Sequence, residues 1–155
     1  MATVALDLLG GDGAPGVVAD AIARLCGPES SQPGSPDPAD LIVVGPAAVA
    51  RELLVERGVD PDRVRIVDAG RGASMAGNPL SMLRAHDDVT VTVAVGLVNA
   101  GLADAWVSVG HTGAAVAAAV LGLGRLSGMS RPALAVVLPS LAGPVVLVDA
   151  GAAPD

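Results

Sequence analysis

The sequence predicts an α/β protein with a mostly parallel sheet covered by helices, and three observations predict it. Short apolar runs and amphipathic stretches alternate in the order β-α-β-α-β-α-β-α-β-β, the pattern of strands joined by crossover helices. The runs are made of Val, Leu, Ile and Ala, as in strands buried on both faces. The 155 residues are 52% hydrophobic yet contain one Trp and neither Phe nor Tyr, so a core must be packed from small aliphatic side chains. The length is that of about one domain. No internal repeat or dividing linker is visible, and residues 1–155 read as a single α/β domain.

"TVALDLL" reads as a buried strand. Pro15 suits the first turn of the helix that follows, and "GVVADAIARLC" places Val18, Ile22 and Leu25 on one face. The stretch "GPESSQPGSPDPAD" is rich in Pro, Gly and Ser, and residues 27–39 read as a flexible loop. "LIVVG" is a second strand. "PAAVARELLVERG" is an amphipathic helix that Gly58 can close with a left-handed cap. "RVRIVDA" is a third strand, and "GRGASMAGNP" is a turn-rich connection. In "LSMLRAHDDVTVTVAVGLVNAGL" the Val and Thr alternation suggests a strand. Val93, Leu97 and Val98 share a helix face, however, and the helical reading from about Val91 to Gly101 is preferred. "ADAWVSVG" is a fourth strand, and Asp104 caps or closes the turn before it. "HTGAAVAAAVLGLGRL" is apolar nearly all round, the pattern of a buried helix. "PALAVVLP" and "GPVVLVDAG" are two further strands joined by "SLA".

Composition excludes several functions. The formal net charge is −7 and all nine basic residues are Arg, which argues against a nucleic-acid binder, since phosphate-backbone binding needs clustered cations. Aromatic platforms for single strands are missing. Cys26 is alone, so neither a disulfide nor a cysteine zinc site forms within one chain; it reads as a small core residue. No basic, apolar leader opens the chain, and Asp104, Pro139 and Asp149 interrupt the most apolar stretches. The expected location is cytoplasmic.

Two glycine-rich turns carry the chemistry. Gly11, Gly13 and Gly16 fit G-x-G-x-x-G after a strand, the spacing of a dinucleotide-binding turn. That function needs an acid at the end of the second strand. Gly45 and Pro46 stand there, and Asp40 precedes the strand. A nucleotide-binding domain is therefore kept only as an alternative. Gly10, Gly11 and Gly13 have a simpler use: they let backbone approach a ligand, and the next helix presents unpaired N–H groups. Asp12 either points into the same crevice or caps a tight turn. In "VSVGHTGAAV", Gly110, His111, Thr112 and Gly113 lie between a strand and a helix. Thr112 can cap that helix. His111 can donate to an anion or act as a base, or else face solvent. Asp7 inside the first strand must be paired or hydrogen-bonded and reads as structural; Asp149 ends the last strand. His86, Asp87 and Asp88 read as a solvated charge run rather than a metal cluster.

"VALDLLGGDGAP", "NPLSMLR", "LVNAGLADAWVSVGHTGA" and "SRPALAVVLPSLAGPVVLVDAGA" together resemble, in order and spacing, the bacterial phosphate acyltransferases of the PlsX type. The resemblance spans nearly the whole chain outside Gly27–Pro38. It implies a three-layer α/β/α sandwich related to phosphate acetyltransferases, of which this chain is the N-terminal half. It implies transfer of an acyl group from acyl-carrier protein to inorganic phosphate for phospholipid synthesis, in a homodimer attached peripherally to the inner face of the membrane. On that resemblance Gly10, Gly11, Gly13, Gly110 and Gly113 bind phosphate and thioester. His111 and Thr112 donate to oxygen, Asp12 and Asp149 orient them, and neither metal nor cofactor is required. The chain departs from the family pattern at several places. Leu9 replaces a Met and His111 an Asn. His86 and Asp87 stand for a Lys pair, Val89, Thr90 and Val91 for Ser-Ser-Met, and Ala152 and Ala153 for Ala-Asn. These departures open a second reading, a non-catalytic paralogue acting as a binding module for a partner.

Overall fold

In a computed structural model, which describes residues 2–27, 40–73 and 79–148, four parallel strands form one sheet. They are β1 (Thr3–Asp7), β2 (Asp40–Gly45), β3 (Arg65–Asp68) and β4 (Ala105–Val107). Their spatial order is β3-β2-β1-β4. β1 lies in register with β2 from Thr3↔Asp40 to Asp7↔Val44, and with β4 from Val4↔Ala105 to Leu6↔Val107. The chain builds outward from β1 to β3, then crosses back to add β4 on the other side of β1. In such sheets the reversal opens a crevice at the carboxyl ends of the two strands that flank it. Here those strands are β1 and β4.

Helices cover both faces of this sheet. On one side lie α1 (Gly16–Cys26) and α2 (Ala47–Glu56). Val18 and Ile22 of α1 and Ala50 and Leu54 of α2 pack there on Leu8 and Val43. The other side is covered by α4 (Thr90–Asn99), whose Ala94 packs on Ala5, Ile42 and Val44, with Val93, Leu97, Val98 and Trp106 around them. α3 (Pro79–Ala85) and α5 (Thr112–Gly122) pack beside α4, where Leu83, Val91, Val95 and Ala118 form a third cluster. The buried hydrophobic residues described are all Ala, Val, Leu or Ile, as the composition requires. Burying one Ile or Leu fully contributes about 1.5–3 kcal/mol, so these three clusters hold the layers together.

Helix ends follow local chemistry. Gly58 and Gly101 have φ of +71° and +69°. The amides of Gly58 and Val59 return to the carbonyls of Val55 and Leu54, and those of Gly101 and Leu102 to Val98 and Leu97. Both are the paired bonds of a glycine C-terminal cap. The start of α2 has no acceptor of its own, and the Ala47 amide donates to Asp68 Oδ1 at 2.8 Å. β3 thus caps the helix that precedes it in the chain.

Four expectations are corrected and a fifth is extended. Leu25 is 40% exposed: the inner stripe of α1 runs through Ala19, Ile22 and Cys26, and Leu25 falls at its margin. α3 was not expected; it is two turns long and, among its described side chains, buries Leu83 alone deeply, too little for a periodic signal. α5 is not buried all round, since only Ala114 and Ala118 are buried and Leu121 is exposed. Its cap is His111 rather than Thr112. Asp104 reaches further than its own turn, because its carboxylate accepts from the Thr3 amide at 2.7 Å and pins the start of β1. The loop 27–39 lies outside the described residues from 28 onward.

The chain forms two compact units, residues 1–123 and 124–155. In the second, β5 (Ala135–Leu138) and β6 (Val145–Val148) pair antiparallel, from Ala135↔Val148 to Leu138↔Val145. The Gly143 amide donates to the Ser140 carbonyl, and Ser140 Oγ donates to the Gly143 carbonyl, closing the connection. Every residue of both strands is exposed.

Candidate functional site

The two glycine-rich turns leave the carboxyl ends of adjacent strands and meet. A Cβ on Gly10 would lie 2.7 Å from Ser108 Oγ, 2.9 Å from Asp7 Oδ2 and 3.1 Å from the Gly110 amide nitrogen. One on Gly110 would lie 3.1 Å from Gly10 Cα and 3.4 Å from the Gly11 nitrogen. Gly11 has φ +98°, and a Cβ there would press on the Val109 carbonyl at 3.0 Å. The backbones touch because side chains are absent, and only glycine adopts the Gly11 conformation without strain.

Beneath the meeting point sits Asp7, 1% exposed. Its Oδ1 accepts from the Leu9 amide at 3.1 Å, and its Oδ2 accepts from Ser108 Oγ at 2.7 Å. Ser108 Oγ in turn accepts from the Gly110 amide at 3.2 Å. The carboxylate is therefore satisfied, as its burial demands. Gly110, expected to lend an amide to a ligand, has given that amide to Ser108. Its contribution to the site is space.

His111 is half-buried and caps α5, its Nδ1 accepting from the Ala114 amide at 3.3 Å. In that arrangement the ring proton is on Nε2, which makes the imidazole a donor at its other nitrogen. Thr112 and Gly113 are exposed in the first turn. Their amides, with those of Gly11, Asp12 and Gly13, have no hydrogen-bond partner among the described residues. Two sets of backbone donors without partners among the described residues thus belong to the two turns that touch, the second at a positive helix end. This is the equipment for holding an oxyanion. Asp12 is exposed and makes no hydrogen bond or ion pair with the described residues, so no contact yet gives it an orienting role. Asp149 lies outside the described residues.

The arrangement disfavours a dinucleotide. Asp40 is exposed at the far, amino-terminal end of β2, and Gly45 and Pro46 occupy its carboxyl end. The nearest acid there, Asp68, is engaged with Ala47. In the charge run, Asp88 pairs with Arg71 at 3.4 Å. Thr90 retains a hydroxyl where the resembled family has a Ser, but it is fully buried and unpartnered among the described residues. Sequence reasoning missed Ser108. The available signal was alternation: Ser108, one residue beyond β4, continues the i, i+2 spacing of Trp106 with a polar residue.

The fold and site define an α/β protein of the switch-point class, in which two glycine-rich turns meet at the carboxyl ends of β1 and β4. The sequence matches the family described as "Fatty acid synthesis protein" over residues 2–155, and the chain belongs to that family. Among curated relatives it is 39% identical over 155 residues to a phosphate acyltransferase of Desulfitobacterium hafniense, covering 100% of this chain and 44% of that protein. It is 39% identical over 150 residues to one of Heliobacterium modesticaldum, covering 96% and 42%. It is 40% identical over 157 residues to one of Thermosynechococcus vestitus, covering 99% and 43%. The chain thus spans less than half the length of these relatives. No helix among the described residues is long and apolar enough to cross a membrane.

Proposed function

We propose that this chain carries the phosphate-holding part of an acyltransferase that makes acyl phosphate from acyl-(acyl-carrier protein) and inorganic phosphate, for phospholipid synthesis. The observation that carries the reading is the contact between the Gly10–Gly13 and Gly110–Gly113 turns at the β1–β4 reversal, with unpaired amides on both sides. In the reaction a phosphate oxygen attacks the thioester carbonyl carbon, the C–S bond breaks, and the carrier thiolate leaves and takes up a proton. Phosphate is a competent nucleophile, so no covalent enzyme intermediate is needed. The protein has to hold a dianion against the carbonyl and stabilise the oxyanion that develops. Amides of Gly11, Gly13, Thr112 and Gly113 supply donors, as does His111 through Nε2. The reading includes a cytoplasmic homodimer with acyl-carrier protein as partner, attached at the inner membrane face. The test is release of carrier thiol from acyl-(acyl-carrier protein) in increasing phosphate. Release that depends on phosphate and is lost in Gly11→Val supports the reading, and no release above background from folded protein removes catalysis from this chain.

A second reading is favoured by the bare apolar strands β5 and β6 and by Asp87 standing where the resembled family has Lys. In it the chain is a non-catalytic module that joins a longer partner of its own family. Stable co-purification with such a partner, without turnover by the chain alone, distinguishes it.

A further inference from the structure

We propose that Asp7 and Ser108 form a clasp whose task is to set the separation of the two glycine turns, which makes both of them positioning residues for the anion. The proposal deepens the phosphate reading and rests on it for the ligand.

Asp7 is the one buried acid among the described residues, and its two oxygens go to different turns. Oδ1 takes the Leu9 amide, so it bends the chain out of β1. Oδ2 takes the Ser108 hydroxyl at the end of β4. An ionised carboxylate can only accept, so the single Ser108 proton is committed to Asp7. The serine oxygen is then left with lone pairs alone, and one of them receives the Gly110 amide. One carboxylate thereby fixes the Leu9–Gly10 corner directly and the Gly110 corner through one hydroxyl. Gly10 is the residue that lies against both members of the clasp, where a Cβ would come within 3 Å of each. A packing role alone would not call for a charge at this depth, because an apolar residue there needs no partners. The charge orients the hydroxyl, and the hydroxyl turns the Gly110 amide inward. With that amide tied back, the Thr112 and Gly113 amides are the ones left for a ligand.

The test uses the full chain labelled with nitrogen-15, in wild type, Ser108→Ala and Ser108→Thr, with three readouts: thermal midpoint, hydrogen exchange at the Gly110 amide, and inorganic phosphate titration followed at Gly11 and Thr112. Ser108→Ala is expected to speed Gly110 exchange and weaken phosphate binding, each about tenfold, the worth of one lost hydrogen bond. Its midpoint should stay within a few degrees of wild type. Ser108→Thr restores the hydroxyl and is expected to restore both. Unchanged Gly110 exchange in Ser108→Ala overturns the clasp. Weaker phosphate binding that Ser108→Thr fails to restore, accompanied by a large fall in midpoint, shows a merely structural role and overturns positioning. Phosphate binding equal in wild type and Ser108→Ala also overturns positioning and leaves the phosphate reading standing. A wild-type chain with no phosphate-dependent shift overturns the phosphate reading and the positioning role with it. The exchange arm still decides in the same sample whether the clasp exists.

Discussion

A central strand of the four-stranded sheet, β2, and a strand of the hairpin, β6, are made of similar residues and meet opposite fates. β2 reads Asp-Leu-Ile-Val-Val-Gly and β6 reads Val-Val-Leu-Val. Yet Ile42, Val43 and Val44 are at most 2% exposed, whereas Val145, Val146, Leu147 and Val148 are each about half exposed or more. The difference is cover. β1, β2 and β3 are each followed by helical chain that returns across the sheet before the next parallel strand, and parallel pairing forces that return. A hairpin needs no crossover, and β5 and β6 are exposed along their whole length. Apolar composition sets what a strand can bury, while connection sets what it does bury.

The largest expected effect tests that contrast directly. Ile22→Ala, which opens the cluster between α1 and the sheet, should lower the unfolding free energy by about 2–5 kcal/mol. Val146→Ala should change it by no more than about 0.5 kcal/mol, as for exposed positions generally. Equal losses in chemical denaturation would mean that the hairpin is covered in solution and would break the comparison. Val146→Lys should also reduce association at high concentration, measured by light scattering, because the hairpin offers two uncharged open edges.

The contrast between the two regions marks how far the sequence was legible. β1, α1, β2, α2, β3 and β4 were readable because each is a short apolar run or an amphipathic stretch bounded by turn residues, and Gly58 and Gly101 cap their helices as their positions suggested. α3 was not, since Leu83 alone cannot make a period, although Pro79 at its first position was a usable sign. At the site, the glycines could be placed at one sheet edge from the alternation of elements. The clasp could not, because Asp7 and Ser108 are 101 residues apart and only the β1–β4 register brings them together. The cap on α5 fell to His111 because its Nδ1 reaches the Ala114 amide; Thr112, one position later, already lies inside the helix.

An intermediate effect separates crowding from backbone strain. Gly11 and Gly101 both have positive φ, but a Cβ on Gly101 meets nothing within 4 Å, whereas one on Gly11 meets Val109. Gly101→Ala should cost only the conformational penalty, about 1–2 kcal/mol. Gly11→Ala should cost more in the same denaturation experiment and also blunt any response to phosphate. Matching costs would mean that the two turns are looser than their contact implies. Asp68→Ala comes next: removal of the acceptor at the start of α2 should lose about 0.5–2 kcal/mol, with Asp68→Asn retaining most of it.

The smallest effect concerns Cys26, on the helix-covered side. Burial pushes its thiol above the ordinary value of 9.0, against a smaller opposing pull from Arg63. The chain has neither Tyr nor Lys, so at alkaline pH no other side chain titrates below the arginines. Below the ordinary thiol value both folded and unfolded chains keep the proton, and stability does not depend on this group. Above 9.0 the unfolded thiol ionises first while the folded one still holds its proton. Stability therefore falls as pH rises through that window and levels off once the folded thiol has also ionised. Cys26→Ala should flatten this slope, and at pH 8 the folded wild type should react with a maleimide more slowly than the unfolded chain. A slope that survives the substitution would assign the alkaline loss to something other than the packing of α1 on its sheet. No such dependence can arise in β5 and β6, whose described residues carry no titratable side chain, so the alkaline slope reports on the covered region alone.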